Sequence, residues 1–247
     1  MRTSPVGPPA GRLVRGTLRR RLLVNAVVDP DEAASRLPLG LRPHVTPLGT
    51  VVGCCLLDIE QLRPRPLPAP AGIRMRAAAH RISAEWEDEC GDTVVGVFVP
   101  GRCTDSRLAV ALGGRWFPGV HRPARVAISE TDAGLSWRVE GDGEFDIAVA
   151  VTTTASHPLG SAGCDPVGGT CLAATIGLSP DRTGALEGAR MAPERRDARE
   201  AIVEELSSSF ISAFTTAQPA PAYLMEDIAV TWTAGEGPSI ASVVTSK

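Results

Sequence analysis

The sequence predicts a mainly β domain with two or three helices, and three observations support this prediction. Short runs of branched apolar residues recur along the 247-residue chain, a pattern typical of buried strands. Turns rich in glycine and proline separate these runs. The hydrophobic fraction is 43%, and no internal repeat or linker divides the chain after residue 11. We therefore expect a disordered leader over residues 1–11 and a single domain over residues 12–247.

The first half of the chain supplies a helix among several strands. An apolar strand is expected at 22–28. Asp29-Pro30 then provides an N-cap and a first helical residue, so 31–36 should form a short helix. Proline at every second position predicts an extended loop over 63–70, at the surface or at a pocket rim. Further strands are predicted at 49–57, 75–86 and 93–99.

The second half has two helix candidates. Thr104 can cap a helix from Asp105 to about Trp116. Pro193 begins the strongest helical pattern in the chain, with apolar residues at helical spacing up to Leu206. We expect a loop over 156–169, a turn over 218–222, and strands at 124–129, 135–140, 145–153 and 223–232.

Charge and targeting patterns exclude several partners. A net charge of −3 gives no reason to expect nucleic acid. The basic run 19–21 before apolar residues superficially resembles a signal peptide. However, Asn25 and Asp29-Pro30 interrupt the apolar run, and no cleavage site follows. No segment approaches the ~20 apolar residues that a membrane helix needs, so the sequence predicts neither secretion nor membrane insertion.

The cysteines and histidines show no ligand spacing. No pair of cysteines has C-x-x-C spacing, and the four histidines form no zinc motif. Cys164 and Cys171 flank a glycine-rich loop and could form a disulfide or half of a metal site. We expect reduced thiols, a cytoplasmic protein, and neither a metal nor a cofactor.

Three segments, taken in order, resemble the acetoacetate decarboxylase-like superfamily, and most closely its uncharacterised branch. The third segment is the most informative, because Gly114-Arg115 and Gly119 align with that family's pattern without gaps. The resemblance covers residues 20–130 well and the C-terminal half loosely. The segments are Val28-Asp29-Pro30-Asp31 through Leu37-Pro38-Leu39-Gly40-Leu41, residues 75–99 ending in Gly96-Val97-Phe98-Val99, and residues 105–126.

The resemblance implies a cone-shaped antiparallel β-barrel with peripheral helices, an internal ligand cavity, and a homo-oligomer. It also exposes a departure in chemistry. The positions that align with the decarboxylase's two lysines hold Arg122 and Pro123, and its carboxylate position falls near Ala77. Lys247 is the chain's only lysine, and arginine cannot supply the free amine that forms an imine. We therefore expect no Schiff-base chemistry.

A basic cluster remains as the candidate site. We assign His121, Arg115 and Arg81 as catalytic candidates, and Arg122 and Trp116 as substrate contacts. Arginine suits carboxylate or enolate oxygens, and histidine can move a proton near neutral pH. Each has a structural alternative: a helix-end charge for Arg115, a hydrogen bond in a turn for His121, and a solvent-facing strand position for Arg81.

Three functions are compatible with this pattern. The first is a lysine-independent lyase, isomerase or cyclase that acts on a small carbonyl compound or polyketide-like acid, in secondary metabolism. The second is a non-catalytic protein that binds a small molecule on the same barrel. The third is a structural or regulatory subunit. Fold resemblance does not separate them.

Overall fold

The computed structural model describes residues 13–88, 90–112, 119–132, 134–143, 145–153 and 165–234, and this part of the chain is mainly β. The predicted leader over 1–11 lies outside it. The helices are α1 (Pro30–Ala34), α2 (Arg107–Leu112) and α3 (Pro166–Ala173), with short 3-10 turns at Ala69–Ala71 and Ile211–Ala213. The strands are β1 (Leu13–Val28), β2 (Arg42–Pro43), β3 (Val45–Thr46), β4 (Gly49–Pro64), β5 (Ile73–Glu87), β6 (Thr93–Phe98), β7 (Arg102–Thr104), β8 (His121–Pro123), β9 (Arg125–Thr131), β10 (Gly134–Glu140), β11 (Ile147–Thr153), β12 (Ile176–Pro180), β13 (Leu186–Pro193), β14 (Arg199–Ser208) and β15 (Gln218–Ala234).

Seven strands form a hydrogen-bonded ring, and β2, β3, β7 and β8 pair beside it. The order is β1-β4-β5-β6-β12-β13-β15, and β15 also pairs with β1. Only the β6–β12 contact in this ring is parallel. From β15 a second arm continues through β14, β11, β10 and β9. The mainly β class is thus confirmed, and the cone-shaped barrel remains a prediction.

Strand β1 separates two apolar clusters. Leu22, Val24 and Ala26 belong to one cluster, together with Trp137 and the rest of the second arm. Leu23 and Val27 belong to the other, which contains residues of β5 and β15 on the inner side of the ring. Because both faces of β1 are buried, this segment is a continuous apolar run rather than an alternating one.

The short helix predicted after Asp29-Pro30 is confirmed as α1. The side chain of Asp29 accepts a hydrogen bond from the backbone N–H of Asp31 at 2.8 Å, and Pro30 begins the helix. The strands predicted in the first half are also present, and most of them are longer than expected.

The helix predicted to begin at Pro193 is wrong, because residues 199–208 form strand β14. This segment pairs with β11 over seven positions and with the start of β15. Its charges are satisfied across strands rather than along a helix, since Arg199 pairs with Glu226 and Glu204 accepts from the Thr152 hydroxyl at 2.9 Å. The turn predicted over 218–222 is also wrong, because these residues begin β15.

The predicted loop over 156–169 is wrong at its end, where α3 begins at Pro166. Residues 154–164 lie outside the described ranges. The helix predicted from Asp105 is present as α2, over Arg107–Leu112. Its expected continuation to Trp116 lies outside the described ranges as well.

Candidate cavity site

The ring encloses a cavity of about 460 Å³. Its walls come mainly from β4 and β5, with smaller contributions from β1, β13, α2 and the segment that follows α3. The lining is largely aliphatic, and Trp232 is the only tryptophan, tyrosine or phenylalanine among the described lining residues. The proline-rich segment after β4 lies at the rim, where Leu67 is 47% exposed. Arg63 folds this segment by donating to the backbone oxygen of Leu67 at 3.1 Å.

The register of the strands gives the order of residues along the cavity, from its buried base to its rim. Asn25, Gly53 and Arg81 are paired across β1, β4 and β5 and form the lowest layer. Arg21 lies four residues further up, at the level of Leu57 and Ala77. A strand rises about 3.3 Å per residue, so Arg21 and Arg81 start from Cα positions roughly 13 Å apart along the wall.

A hydrogen-bond cluster holds Arg81 at the base of the cavity. Its Nη2 donates to Asn25 Oδ1, which also accepts from the Cys171 thiol at 3.3 Å. The Asn25 Nδ2 donates in turn to the backbone oxygen of Pro221 at 2.6 Å. Asn25 therefore ties β1 to β5, α3 and β15 at one point.

Gly53 allows the backbones of β1 and β4 to approach closely beside this contact. It lies on β4 between Asn25 and Arg81, whose side chains meet above it. A Cβ at Gly53 would lie 2.1 Å from the backbone oxygen of Val24, so no other residue fits without moving β1.

Arg21 points inward because β1 is irregular just before it. The pairing of β1 with β4 shifts between Leu18 and Arg20, so Arg19 is an extra residue in the strand. As a result Arg19 and Arg20 reach the outer carboxylates of Asp227 and Glu130. Arg21 is buried, and its Nη1 lies 3.6 Å from the sulfur of Met225.

Arg21 and Arg81 are buried cations without ion pairs among the described residues. They are only 7% and 5% exposed, and the Nε of each has no hydrogen-bond partner there. Burying an uncompensated charge costs several kcal/mol. Two such charges in one cavity therefore favour an anion from outside the chain as the missing partner.

Arg102 and His121 form a second polar pair in the cavity wall. They are aligned across the parallel strands β7 and β8, and both line the cavity. Burial lowers the pKa of Arg102 to about 10, so this guanidinium remains charged at neutral pH. Burial, assisted by the charge of Arg102, lowers the pKa of His121 to about 4. His121 is therefore a neutral imidazole beside a cation.

The structure brings together two of the predicted site residues, Arg81 and His121. It places His121 in strand β8 rather than in the turn we expected. Arg122, the next residue, points away from the cavity. Its guanidinium lies 3.0 Å from the carboxylate of Asp142 and 5.7 Å from the ring centre of Phe145. Arg115 and Trp116 lie outside the described residues.

Sequence reasoning missed Arg21, Asn25 and Arg102. Arg21 was hidden in the basic run 19–21, and Arg102 in a short segment for which no strand was predicted. A usable signal existed for Asn25, which is the single polar residue in the strand predicted at 22–28. Cys171 is a free thiol in the described structure, and its proposed partner Cys164 lies outside it.

The fold has counterparts among solved structures. An acetoacetate decarboxylase-like enzyme from Sphingomonas wittichii RW1 matches with a TM-score of 0.64 at 15% identity, over 96% of this chain and 95% of that chain. The enduracididine biosynthesis enzyme MppR, complexed with pyruvate, gives 0.62 at 16% identity, over 95% and 91%. The acetoacetate decarboxylase of Legionella pneumophila gives 0.60 at 14% identity, over 94% and 90%.

These likenesses show that the chain has the acetoacetate decarboxylase-like fold, as the sequence resemblance implied. No family model and no curated protein matches the sequence. Among the described residues no helix is long and apolar enough to cross a membrane. In the same part of the chain, no cluster of three His, Cys, Asp or Glu side chains is suited to hold a metal ion.

Proposed function

We propose that this chain is a lysine-independent enzyme, a lyase, isomerase or cyclase, that acts on a small carbonyl compound or polyketide-like acid in the cavity. One observation carries the proposal: Arg21 and Arg81 are buried in an apolar cavity and make no ion pair within the described residues. A carboxylate would supply the missing charge and hydrogen-bond acceptors. MppR, which shares the fold, is complexed with pyruvate, an oxo acid.

His121 and Arg102 would carry the chemistry next to this anion. The neutral imidazole of His121 would accept a proton from the carbon beside the substrate carbonyl. The guanidinium of Arg102 would stabilise the enolate oxygen that forms. Arg115 remains a second candidate for this oxyanion role, and Trp116 a candidate substrate contact, both on the sequence resemblance alone.

The alternative is a non-catalytic small-molecule-binding protein on the same fold, and one observation favours it. A pKa of about 4 makes His121 a weak base at neutral pH. An anion bound nearby would raise the pKa of His121 and make it a stronger base. The enzyme and the binding protein are therefore distinguished by whether the bound ligand reacts. A homo-oligomeric state and a role in biosynthesis are proposed from the resemblance only, and a cytoplasmic location from the expectation of reduced thiols.

Deuterium exchange separates these functions without knowledge of the final product. In D₂O, the chain should catalyse exchange of the pyruvate methyl protons, followed by NMR. His121→Asn should slow the catalysed exchange by ~10²–10⁴-fold, whereas His44→Asn, at a half-buried position outside the cavity lining, should leave it unchanged. The acid limb of kcat/KM should fall near pH 4 and not near 6.5, because protonation of His121 removes the base.

A borohydride control addresses the imine mechanism. Reduction in the presence of acetoacetate should leave the mass of the protein unchanged, since the described cavity lining contains no lysine. A covalent adduct, or an exchange rate unaffected by His121→Asn, would overturn the proposed mechanism. Binding of the acid with no exchange at all would favour the non-catalytic alternative.

A further inference from the structure

The polarity of the cavity changes along its axis. Arg81 and Arg21 lie in the lower layers, and Arg102 lies between them, opposite Ala79 of β5. Above Arg21 the layers are aliphatic: Ile59 pairs with Met75, and Leu62 pairs with Ile73. All of these residues line the cavity. The buried arginines thus lie at the deep end. The wall toward the rim is aliphatic apart from Arg63, whose guanidinium donates to the backbone oxygens of Gln61 and Leu67.

The cavity is long as well as polarised. From Arg81 to Ile73, the wall formed by β5 covers eight residues, or roughly 26 Å at about 3.3 Å per residue. At the rim, Val14 pairs with both Pro64 and Trp232, and all three line the cavity. Because liquid water takes about 30 Å³ per molecule, a cavity of about 460 Å³ holds on the order of 15 non-hydrogen atoms. A four-carbon oxo acid would fill about half of that space.

We infer that the ligand is an amphiphilic anion: a carboxylic acid with an unbranched aliphatic body of about eight to twelve carbons, bound with its carboxylate at Arg81 and Arg21 and its chain among the layers of Met75 and Ile73. This inference rests on the proposed function, because it takes the anion site as given. It adds the length and direction of the substrate. The reverse orientation is disfavoured, because it would bury the ligand's carboxylate among the aliphatic side chains and away from the deep arginines.

Calorimetric titration with butanoate, hexanoate, octanoate and decanoate tests this inference on the intact chain. Affinity should increase about three- to fourfold for each methylene that becomes buried, up to the length at which the chain reaches the rim. Met75→Gln keeps the length of the side chain but places an amide in the aliphatic layers. It should weaken decanoate at least tenfold and butanoate less than threefold.

Three further variants test the interpretation. Ile73→Asn, at a less buried position nearer the rim, repeats the test if Met75→Gln folds poorly. Leu206→Gln, on a surface strand where the side chain is 39% exposed, is the matched control and should leave all affinities unchanged. Arg81→Met should weaken every acid in the series by a similar factor.

The outcomes separate this inference from the proposed function. Equal affinity for butanoate and decanoate, with a loss of both in Arg81→Met, would overturn the inference and leave the anion site intact. Affinity that rises with chain length but is unchanged in Arg81→Met would overturn the proposed orientation, in which the carboxylate lies at Arg81. No binding of any acid would overturn the anion site, and the proposed function with it.

Discussion

Asn25 gives Arg81 a hydrogen-bond acceptor that carries no charge. An aspartate in the same place would pair with the guanidinium and cancel its charge inside the cavity. The amide oxygen instead fixes the direction of Arg81 and leaves its charge available to a ligand. The same oxygen accepts from Cys171, whose pKa is raised by burial, so the thiol stays protonated and can donate.

Asn25→Asp should therefore weaken anion binding while keeping the shape of the site. A carboxylate near Arg81 neutralises the cation and repels an incoming acid, so we expect at least a tenfold loss of octanoate affinity, or about 1.4 kcal/mol. Asn25→Ala, which removes the acceptor without adding charge, should lose less affinity while lowering the melting temperature. Calorimetry on both variants checks this, and equal losses would show that the neutrality of Asn25 is unimportant.

The site could be predicted from the sequence only in part. His121 and Arg81 came from a family alignment in which the lysine positions had changed. Arg21 could not be found in the same way, because the extra residue at Arg19 decides which arginine of the run points inward. A bulge depends on the pairing of β1 with β4 and leaves no simple pattern in β1 itself. The orientation of Arg122 likewise became clear only from its contacts.

At the scale of elements, the same Asp-Pro signature begins two helices, and only one was recognised. Asp29-Pro30 precedes a run without glycine and predicts α1 correctly. Asp165-Pro166 begins α3 in the same way, but Gly168-Gly169 follows, and glycine is a poor helix former. Tertiary contacts compensate. The carboxylate of Asp165 accepts from the backbone N–H of Gly168 at 2.8 Å and from the Tyr223 hydroxyl at 2.6 Å.

Helical spacing also misled at β14. Ile202, Val203 and Leu206 fit a helical face, yet the first two are β-branched and favour strands. The partners that decide the outcome lie in β11 and β15, which are distant along the sequence. Local patterning cannot include such contacts, so the error concerns long-range pairing rather than composition.

Tyr223→Phe tests how much α3 depends on its tertiary anchor. The variant removes a hydrogen bond to a carboxylate, and such bonds contribute roughly 1.5–3 kcal/mol to the free energy of unfolding. We expect a loss in that range in urea unfolding. Because α3 supplies Cys171 to the Asn25 cluster, octanoate affinity should fall as well. Unchanged stability would mean that the helix is held by packing alone.

At the scale of the whole molecule, two buried histidines couple stability to pH. His80 is stacked between Phe145 and Phe210, with ring centres 4.2 and 4.3 Å away. Burial is the main reason that the pKa of His80 is lowered to about 4, and the charge of Arg122 adds to the effect. The pKa of His121 is lowered to about the same value. In the unfolded chain both titrate near 6.5.

The unfolded chain therefore binds more protons than the folded protein between about pH 6.5 and pH 4. Stability should be fully present above pH 6.5 and should fall as the pH drops toward 4, by up to about 1.4 kcal/mol per pH unit for each histidine. His80→Phe should remove about half of this slope in urea unfolding measured from pH 7 to 4.5. Leu206→Gln, which changes no titratable group, should leave it unchanged. A slope that survives His80→Phe in full would contradict the assignment.

The sheet brings β1 and β5 of the ring, and β7 and β8 paired beside β5, around one cavity although these strands lie far apart in the sequence. The central claim is that Arg21 and Arg81 form an anion-binding site in this cavity. A crystal structure of the protein with bound octanoate tests this most directly. We predict a carboxylate oxygen about 2.8 Å from a guanidinium nitrogen of Arg81 or Arg21, with the chain directed toward Ile73. An empty cavity, or an acid bound only at surface arginines, would contradict the account.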